Sequence, residues 1–302
     1  MRWMVLFLFF LIPVGCNRQE QPASGSIPAQ GSRTLKIGLV PEQDIFAQKK
    51  HYEPLLSQLG KELGVALEIK MLPRYGDIVE NFHKLDLDGA FFGSFTGALA
   101  IEKLGVEPLA RPRYLDGAST YYGLIFVRKG SGIHTAEDMR DKRLVLVDRA
   151  TTAGYLLPLA YFKALGIADY KSWFKESYFS GNHEDAIREV LAGYADIGAA
   201  KSTVFYRLAK TDHRLLRELE ILAISPHVPA NGLAVRHDLA DDLKEGLKQH
   251  LLTMHRKEAG RSILAEMQIE KFIETTARDY RPVLDYAADL GLDLTSDLPL
   301  DD

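Results

Sequence analysis

The 302 residues are 46% hydrophobic and 26% charged, with a formal net charge of −4 and a single cysteine. The basic footprint that nucleic-acid binding requires is missing, which argues against that class. One cysteine excludes an intramolecular disulfide, so the core alone must hold the fold.

Met1-Arg2-Trp3 carries one cation and leads into an apolar run from Met4 to Ile12. A bilayer span needs about 20 apolar residues, so this shorter run reads as a secretory signal. It ends at Pro13-Val14-Gly15-Cys16, which resembles the lipoprotein signal motif of bacteria, with Pro13 at a position usually held by Leu. On that resemblance Cys16 becomes the acylated first residue, and residues 1–16 are the signal. A lone free thiol in a secreted chain invites oxidation, which favours acylation over a merely apolar role. Residues 17–33 are rich in Gln, Ser, Gly, Pro and Ala and read as a flexible tether. The series places the folded part on the periplasmic or cell-surface side of the cytoplasmic membrane, held by a lipid. Loss of Arg2 with the signal leaves the chain one unit more negative.

The remainder is long enough for one large or two medium domains with an ample core. Leu35–Val40 reads as a strand, Ala47–Leu63 as a helix with Leu55, Leu56, Leu59 and Leu63 at helical spacing, and Val65–Leu72 as a strand. A helix over Asp77–Lys84, a strand over Gly89–Gly93, a helix over Phe95–Leu104 and a strand over Glu107–Pro112 follow. The pattern restarts after Tyr121, with a strand at Leu124–Arg128, a short helix at Thr135–Arg140, a buried strand at Leu144–Val147 and a helix from Thr152 to Leu165. Next come a helix at Glu184–Leu191, a strand at Asp196–Ala200, a helix at Thr203–Ala209, and late strands at Ile221–Ile224 and Leu233–Val235. From Ala240 onward the pattern predicts three helices with no strand between them. No further apolar run reaches transmembrane length.

Strands alternating with helices predict an α/β fold with parallel strands. Two similar α/β units imply two lobes: residues 34–121 with 233–302, and residues 122–232. Leu124–Arg128 and Leu233–Val235 are the expected crossings between them. Ligands of open α/β sheets sit outside the carboxyl ends of strands, so a cleft between lobes that close by a hinge is the expected binding place.

Three turns could carry chemistry. In Val147–Tyr155 (VDRATTAGY) a buried strand gives way to a hydroxyl-rich turn and a helix start. Backbone N–H groups there attract anions, Thr151 and Thr152 add hydroxyl donors, and Ala153 and Gly154 admit a ligand close to the backbone. A threonine at that place equally serves as an ordinary N-cap. Phe92–Gly97 (FGSFTG), with Ser94, repeats the arrangement in the other unit. Ser180–Asp185 (SGNHED) opens a helix with His183, which reads as an anion donor at the cleft rim or as a cap or surface residue. Tyr75, Tyr121 and Tyr122 read as cleft walls or as core. Glu42 and Asp44 lie close together, which reads as the solvated face of a strand-end loop. GxSxG, P-loop and HExxH motifs and a cysteine nucleophile are lacking, so the sequence gives no anchor for catalysis and no cofactor.

The order of motifs resembles the phosphate/phosphite/phosphonate substrate-binding proteins of ABC importers, within the type II periplasmic-binding fold. The similarity runs from about Thr34 to about Leu239. It covers Gly38–Pro41 (GLVP), Tyr52–Leu55 (YEPL), Arg74–Asp77 (RYGD), Asp88–Gly93 (DGAFFG), Val106–Ala110 (VEPLA) and Tyr121–Lys129 (YYGLIFVRK). It continues through Val147-Asp148, Thr151–Pro158 (TTAGYLLP), Ser180–Glu184 (SGNHE), Ala195–Ala199 (ADIGA) and Val235–Leu239. The resemblance implies that Thr151 and Thr152 bind a small oxyanion and that His183 and Tyr75 join them; Ala153, Ser94 and Tyr122, read from the helix starts and cleft walls, complete the expected site. It implies an ABC permease in the inner membrane as partner, a monomer, and binding without chemistry.

Two departures stand out. Lys201 holds the place where the family carries an acid after the ADxGA strand, and Ser94 and Gly97 replace a Pro and Tyr in the first-lobe loop. A lysine in the site suits a more fully charged or carboxylated ligand; a lysine at a helix start also reads as a solvent-facing residue. Two other functions stay open on this fold: a sensory or adaptor lipoprotein that reports to a membrane kinase, and a receptor for a sulfonate, pyrimidine or dicarboxylate.

Overall fold

The computed structural model describes residues 33–292. Cys16, the signal and nearly all of the tether lie outside the described residues. The strands are β1 (Thr34–Leu39), β2 (Ala66–Met71), β3 (Gly89–Phe92), β4 (Glu107–Tyr114), β5 (Thr120–Tyr121), β6 (Gly123–Arg128) and β7 (Arg143–Leu146). They continue with β8 (Glu176–Phe179), β9 (Ile197–Lys201), β10 (Leu219–Ile224), β11 (Val228–Pro229), β12 (Gly232–Val235) and β13 (Ile269–Glu274).

Three sheets result. The first has the order β13-β4-β12-β3-β1-β2, the second β10-β6-β9-β7-β8, and β5 with β11 forms a two-stranded ribbon. β1 runs parallel to β2 and β3, and β7 parallel to β8 and β9, as helices between successive strands require. β12 enters the first sheet antiparallel between β3 and β4. The two large sheets, each an α/β sheet, give the two-lobed architecture that the sequence predicts.

The period of the sequence explains the layers. Leu35, Ile37 and Leu39 alternate along β1 and bury one face against Leu55, Leu56 and Leu59 of the helix Ile45–Leu63. That helix starts at Asp44, whose carboxylate accepts from Ala47 N, and stops at Gly64 in the left-handed region at φ 67°. Leu243, Leu247 and Leu251 of the helix Asp241–Thr253 close the same core from the far end of the chain.

Several sequence expectations need correction. β6 and β12 lie wholly within the second and first sheets; the passages between sheets are the short strands β5 and β11 just before them. The region after Ala240 is not all helix, because β13 pairs antiparallel with β4 at the sheet edge. In IEKFIE the buried pair Ile269 and Phe272 stands three apart, a helical spacing, because the register shifts between Ile269 and Lys271. β8 was not expected at all. The long helix begins with a π-helical turn, Thr152–Leu156, before regular helix over Leu157–Ala164.

The last helix, Arg281–Asp289, buries Val283 and Ala287. Just ahead of it Tyr280 packs on Gly97 of the helix Ser94–Leu104, where a Cβ would lie 2.7 Å from a ring carbon. Lys163, on the helix Leu157–Ala164, donates to the Asp289 carbonyl at 2.5 Å. The C-terminal helix therefore touches helices that follow strands of both large sheets.

Candidate functional site

The carboxyl ends of β1, β3, β7, β8 and β9 bring their following loops together, as the topology of open α/β sheets dictates. A small cavity of about 10 Å³ lies there, lined by Glu42, Tyr75, Gly93, Phe95, Tyr121, Ala150, Thr151, Thr152, His183, Lys201 and Asn231. Tyr75, Thr151, Thr152, His183 and Lys201, singled out from sequence, thus meet in one place.

The turn after β7 is built by its small residues. Thr151 Oγ1 donates to the Asp148 carbonyl at 2.6 Å, and the Asp148 carboxylate accepts from Ala150 N at 2.8 Å. Gly154 is required because a Cβ there would come within 2.3 Å of Val147 Cβ. Thr152 does not cap its own helix. Its Oγ1 accepts from Phe95 N at 2.8 Å, so the start of the Ser94–Leu104 helix is tied to the start of the Thr152 turn. A π-turn of this kind recurs at functional sites.

Tyr75 is 3% exposed, and its hydroxyl is buried without a hydrogen-bond partner. Buried hydroxyls almost always have a partner, so this donor stands ready for one. His183 is equally buried and packs edge-on to Tyr75, ring centroids 5.9 Å apart. Its Nδ1 accepts from Lys201 N at 3.2 Å, which leaves Nε2–H as a donor in the neutral ring. Burial pulls its pKa down to about 3; the Glu42 charge opposes this, and Lys201 and Arg207 add to it. The ring is neutral at physiological pH. The cap of its helix is Asn182, whose side chain accepts from Asp185 N, so His183 is neither cap nor surface residue.

Lys201 does not face solvent. It is 2% exposed, and its Nζ donates to Glu42 Oε1 at 2.5 Å and Asn231 Oδ1 at 2.8 Å, with the Tyr121 ring centroid 4.4 Å away. Asn231 Nδ2 donates in turn to Glu42 Oε1 at 3.1 Å. Burial acts to raise the Glu42 pKa, but the Lys201 charge and hydrogen bond override it and hold the carboxyl below its ordinary value. Burial lowers the Lys201 pKa, and Glu42 opposes the shift. The Glu42 loop is pinned by buried Gln48, which accepts from Glu42 N and donates to the Val40 carbonyl.

Ala153, Ser94 and Tyr122 are placed elsewhere. Ala153 is buried against Gly123. Ser94 Oγ donates to the Pro229 carbonyl at 2.6 Å and lies 2.8 Å from Tyr121 Oη, so its hydroxyl serves the β5–β11 ribbon. Tyr122 packs against His227, centroids 5.0 Å apart, beside a larger outer chamber. Glu42 and Asn231 are the site residues that sequence reasoning missed. The Glu42 loop is not a solvated face, since Glu42 turns inward to Lys201 while Asp44 caps the helix. Among the described residues no group of three or more His, Cys, Asp or Glu side chains gathers as a metal site.

Residues 37–280 match the family described as ABC transporter, phosphonate, periplasmic substrate-binding protein. The chain is 22% identical over 239 residues to the phosphonates-binding periplasmic protein of Escherichia coli (strain K12), covering 78% of this chain and 70% of that one. It is 25% identical over 264 residues to a probable ABC transporter phosphite binding protein of Prochlorococcus marinus (strain MIT 9301), covering 83% and 88%. Two solved structures share the fold. One is a binding protein component of an ABC phosphonate transporter from Pseudomonas aeruginosa, at TM-score 0.80 and 23% identity over 86% of this chain and 87% of that one. The other, from Prochlorococcus marinus (MIT 9301) in complex with methylphosphonate, gives TM-score 0.77 and 22% identity over 86% and 98%. With the family match spanning well over half of its length, the chain belongs to the periplasmic phosphonate substrate-binding family of ABC transporters.

Proposed function

We propose that the protein captures a small phosphorus oxyanion, a phosphonate, phosphite or phosphate, between its lobes and delivers it to an ABC permease without altering it. One observation carries the reading: the Tyr75 hydroxyl is buried and unpartnered in the cavity that Thr151, Thr152, His183 and Lys201 also line. The relatives named for phosphonate and phosphite binding, and the neighbour holding methylphosphonate, support the same ligand class.

In this reading Tyr75 Oη and neutral His183 Nε2–H donate to the oxyanion, with the Thr151 and Thr152 hydroxyls and the first amides of their turn beside them. Lys201 takes the place of an acid and brings positive charge beside the oxyanion while it keeps its bond to Glu42. Residues 34–121 with 233–302 form the first lobe and 122–232 the second, with the β5–β11 ribbon as the hinge. Acylation at Cys16 would hold this monomer to the membrane through the polar tether.

The test is thermal unfolding of the purified protein with phosphate, phosphite, methylphosphonate, aminoethylphosphonate, sulfate and taurine. A ligand at a hundred times its Kd stabilises by about 2.7 kcal/mol. A clear rise in Tm with a phosphorus compound, and none with taurine, is expected. No shift with any phosphorus compound at millimolar concentration would end the reading.

A further inference from the structure

Beside the deep cavity lies a second and much larger one, about 450 Å³, between the helix Ser202–Thr211, the Glu42 loop and the end of β4. Glu42 and Asn231 line both cavities, so the two are joined where the Lys201–Glu42 pair sits. The deep cavity is small and already holds the Lys201 ammonium. An organic substituent on an oxyanion seated there has to run outward past Glu42.

What meets it is a cation without a partner. Arg207, on the Ser202–Thr211 helix, lines the outer chamber, and its Nη2 is buried with no hydrogen bond. It makes no ion pair among the described residues. The chamber's other acids, Asp116 and Glu266, are exposed, and Glu42 is committed to Lys201 and Asn231. A guanidinium stays charged at any physiological pH and presents a planar fork that fits an oxyanion with two parallel hydrogen bonds. Leaving one of its N–H groups buried and unmet is costly unless a ligand completes it. Arg207 also acts electrostatically on Glu42, His183 and Lys201, which places its charge within reach of the deep site. The lining of the outer chamber includes the aromatic side chains Tyr52, Tyr114 and Tyr122, suited to an apolar spacer.

We propose that the outer chamber is a second anion subsite centred on Arg207, and that the ligand is a phosphonate or phosphate ester bearing a second oxyanion on a short organic spacer. This rests on the deep cavity being the site of the first oxyanion. Simple phosphonates would occupy only half of the recognition surface.

The experiment is calorimetric titration of the purified protein with 3-phosphonopropionate and propylphosphonate, which share phosphonate and spacer and differ in the carboxylate. Propane-1,3-bisphosphonate, titrated alongside, distinguishes a carboxylate from a phosphoryl group as the second oxyanion. At least one doubly anionic compound should bind about tenfold or more tighter than propylphosphonate. In Arg207→Gln that ratio should fall to about one, and Arg207→Lys should restore part of it. Equal affinities of all three compounds for the unmodified protein would overturn the second subsite while leaving the first standing. A ratio that survives Arg207→Gln would overturn the assignment to Arg207. Failure of every phosphonate to bind would overturn both subsites together.

Discussion

Lys201 Nζ meets Glu42 Oε1 at 2.5 Å, joining the end of a second-sheet strand to the loop after the first strand of the other sheet. The two residues are 159 positions apart in sequence. Their pairing links the two halves directly across the cleft, in the cavity where an oxyanion is proposed to bind. An ion pair so deeply buried recovers its desolvation cost only with good geometry, which Asn231 supplies by bonding both partners.

Removing one partner should therefore be far worse than removing both. Glu42→Gln leaves a buried ammonium without a counter-charge and should lower stability by about 3–5 kcal/mol in urea denaturation. Combining it as Glu42→Leu with Lys201→Met should return stability to near or above the starting value. Additive losses in the double variant would mean that the pair is not coupled. The same double variant should lose oxyanion affinity, since Lys201 is proposed to bring the positive charge.

His183 sets a pH dependence. Its pKa falls from the ordinary 6.5 to about 3 through burial, so the unfolded chain takes up this proton before the folded one. The associated stability is complete above pH 6.5 and is lost as pH drops towards 3, at about 1.4 kcal/mol per pH unit. Denaturation curves between pH 6 and 4 should show a slope shallower by about that amount in His183→Gln. Identical slopes would mean that His183 protonates freely in the fold.

Ser94 illustrates a residue whose part differs from its sequence expectation. Its buried hydroxyl holds the Pro229 carbonyl and Tyr121, so Ser94→Ala should cost about 1–3 kcal/mol by leaving those groups unmet. Thermal unfolding measures it. No loss of Tm would remove Ser94 from the support of the ribbon.

The fold and the hydroxyl-rich turn were legible because they rest on local pattern. Leu35, Ile37 and Leu39 alternate, and Thr151 and Thr152 stand where a buried strand gives way to a helix. Strand β13 escaped because its bulge gives Ile269 and Phe272 a helical spacing. Glu42 escaped because its inward turn depends on Lys201 and Asn231, each more than 150 residues away and brought close only when the sheets face each other. Ser94 was misplaced for a similar reason: its partner Pro229 lies 135 residues on. Lys201 was legible as a departure from the family, but only packing decides that it points inward.

The central claim, that Tyr75 offers an unmet donor to a phosphorus oxyanion, is tested most directly by calorimetry on Tyr75→Phe. The tightest-binding phosphorus compound is titrated into the unmodified and variant proteins, with Tm recorded for both. Removing a buried hydroxyl that has no partner should leave Tm unchanged or slightly higher, while affinity falls about tenfold or more. Unchanged affinity, or a stability loss as large as the binding loss, would contradict the account.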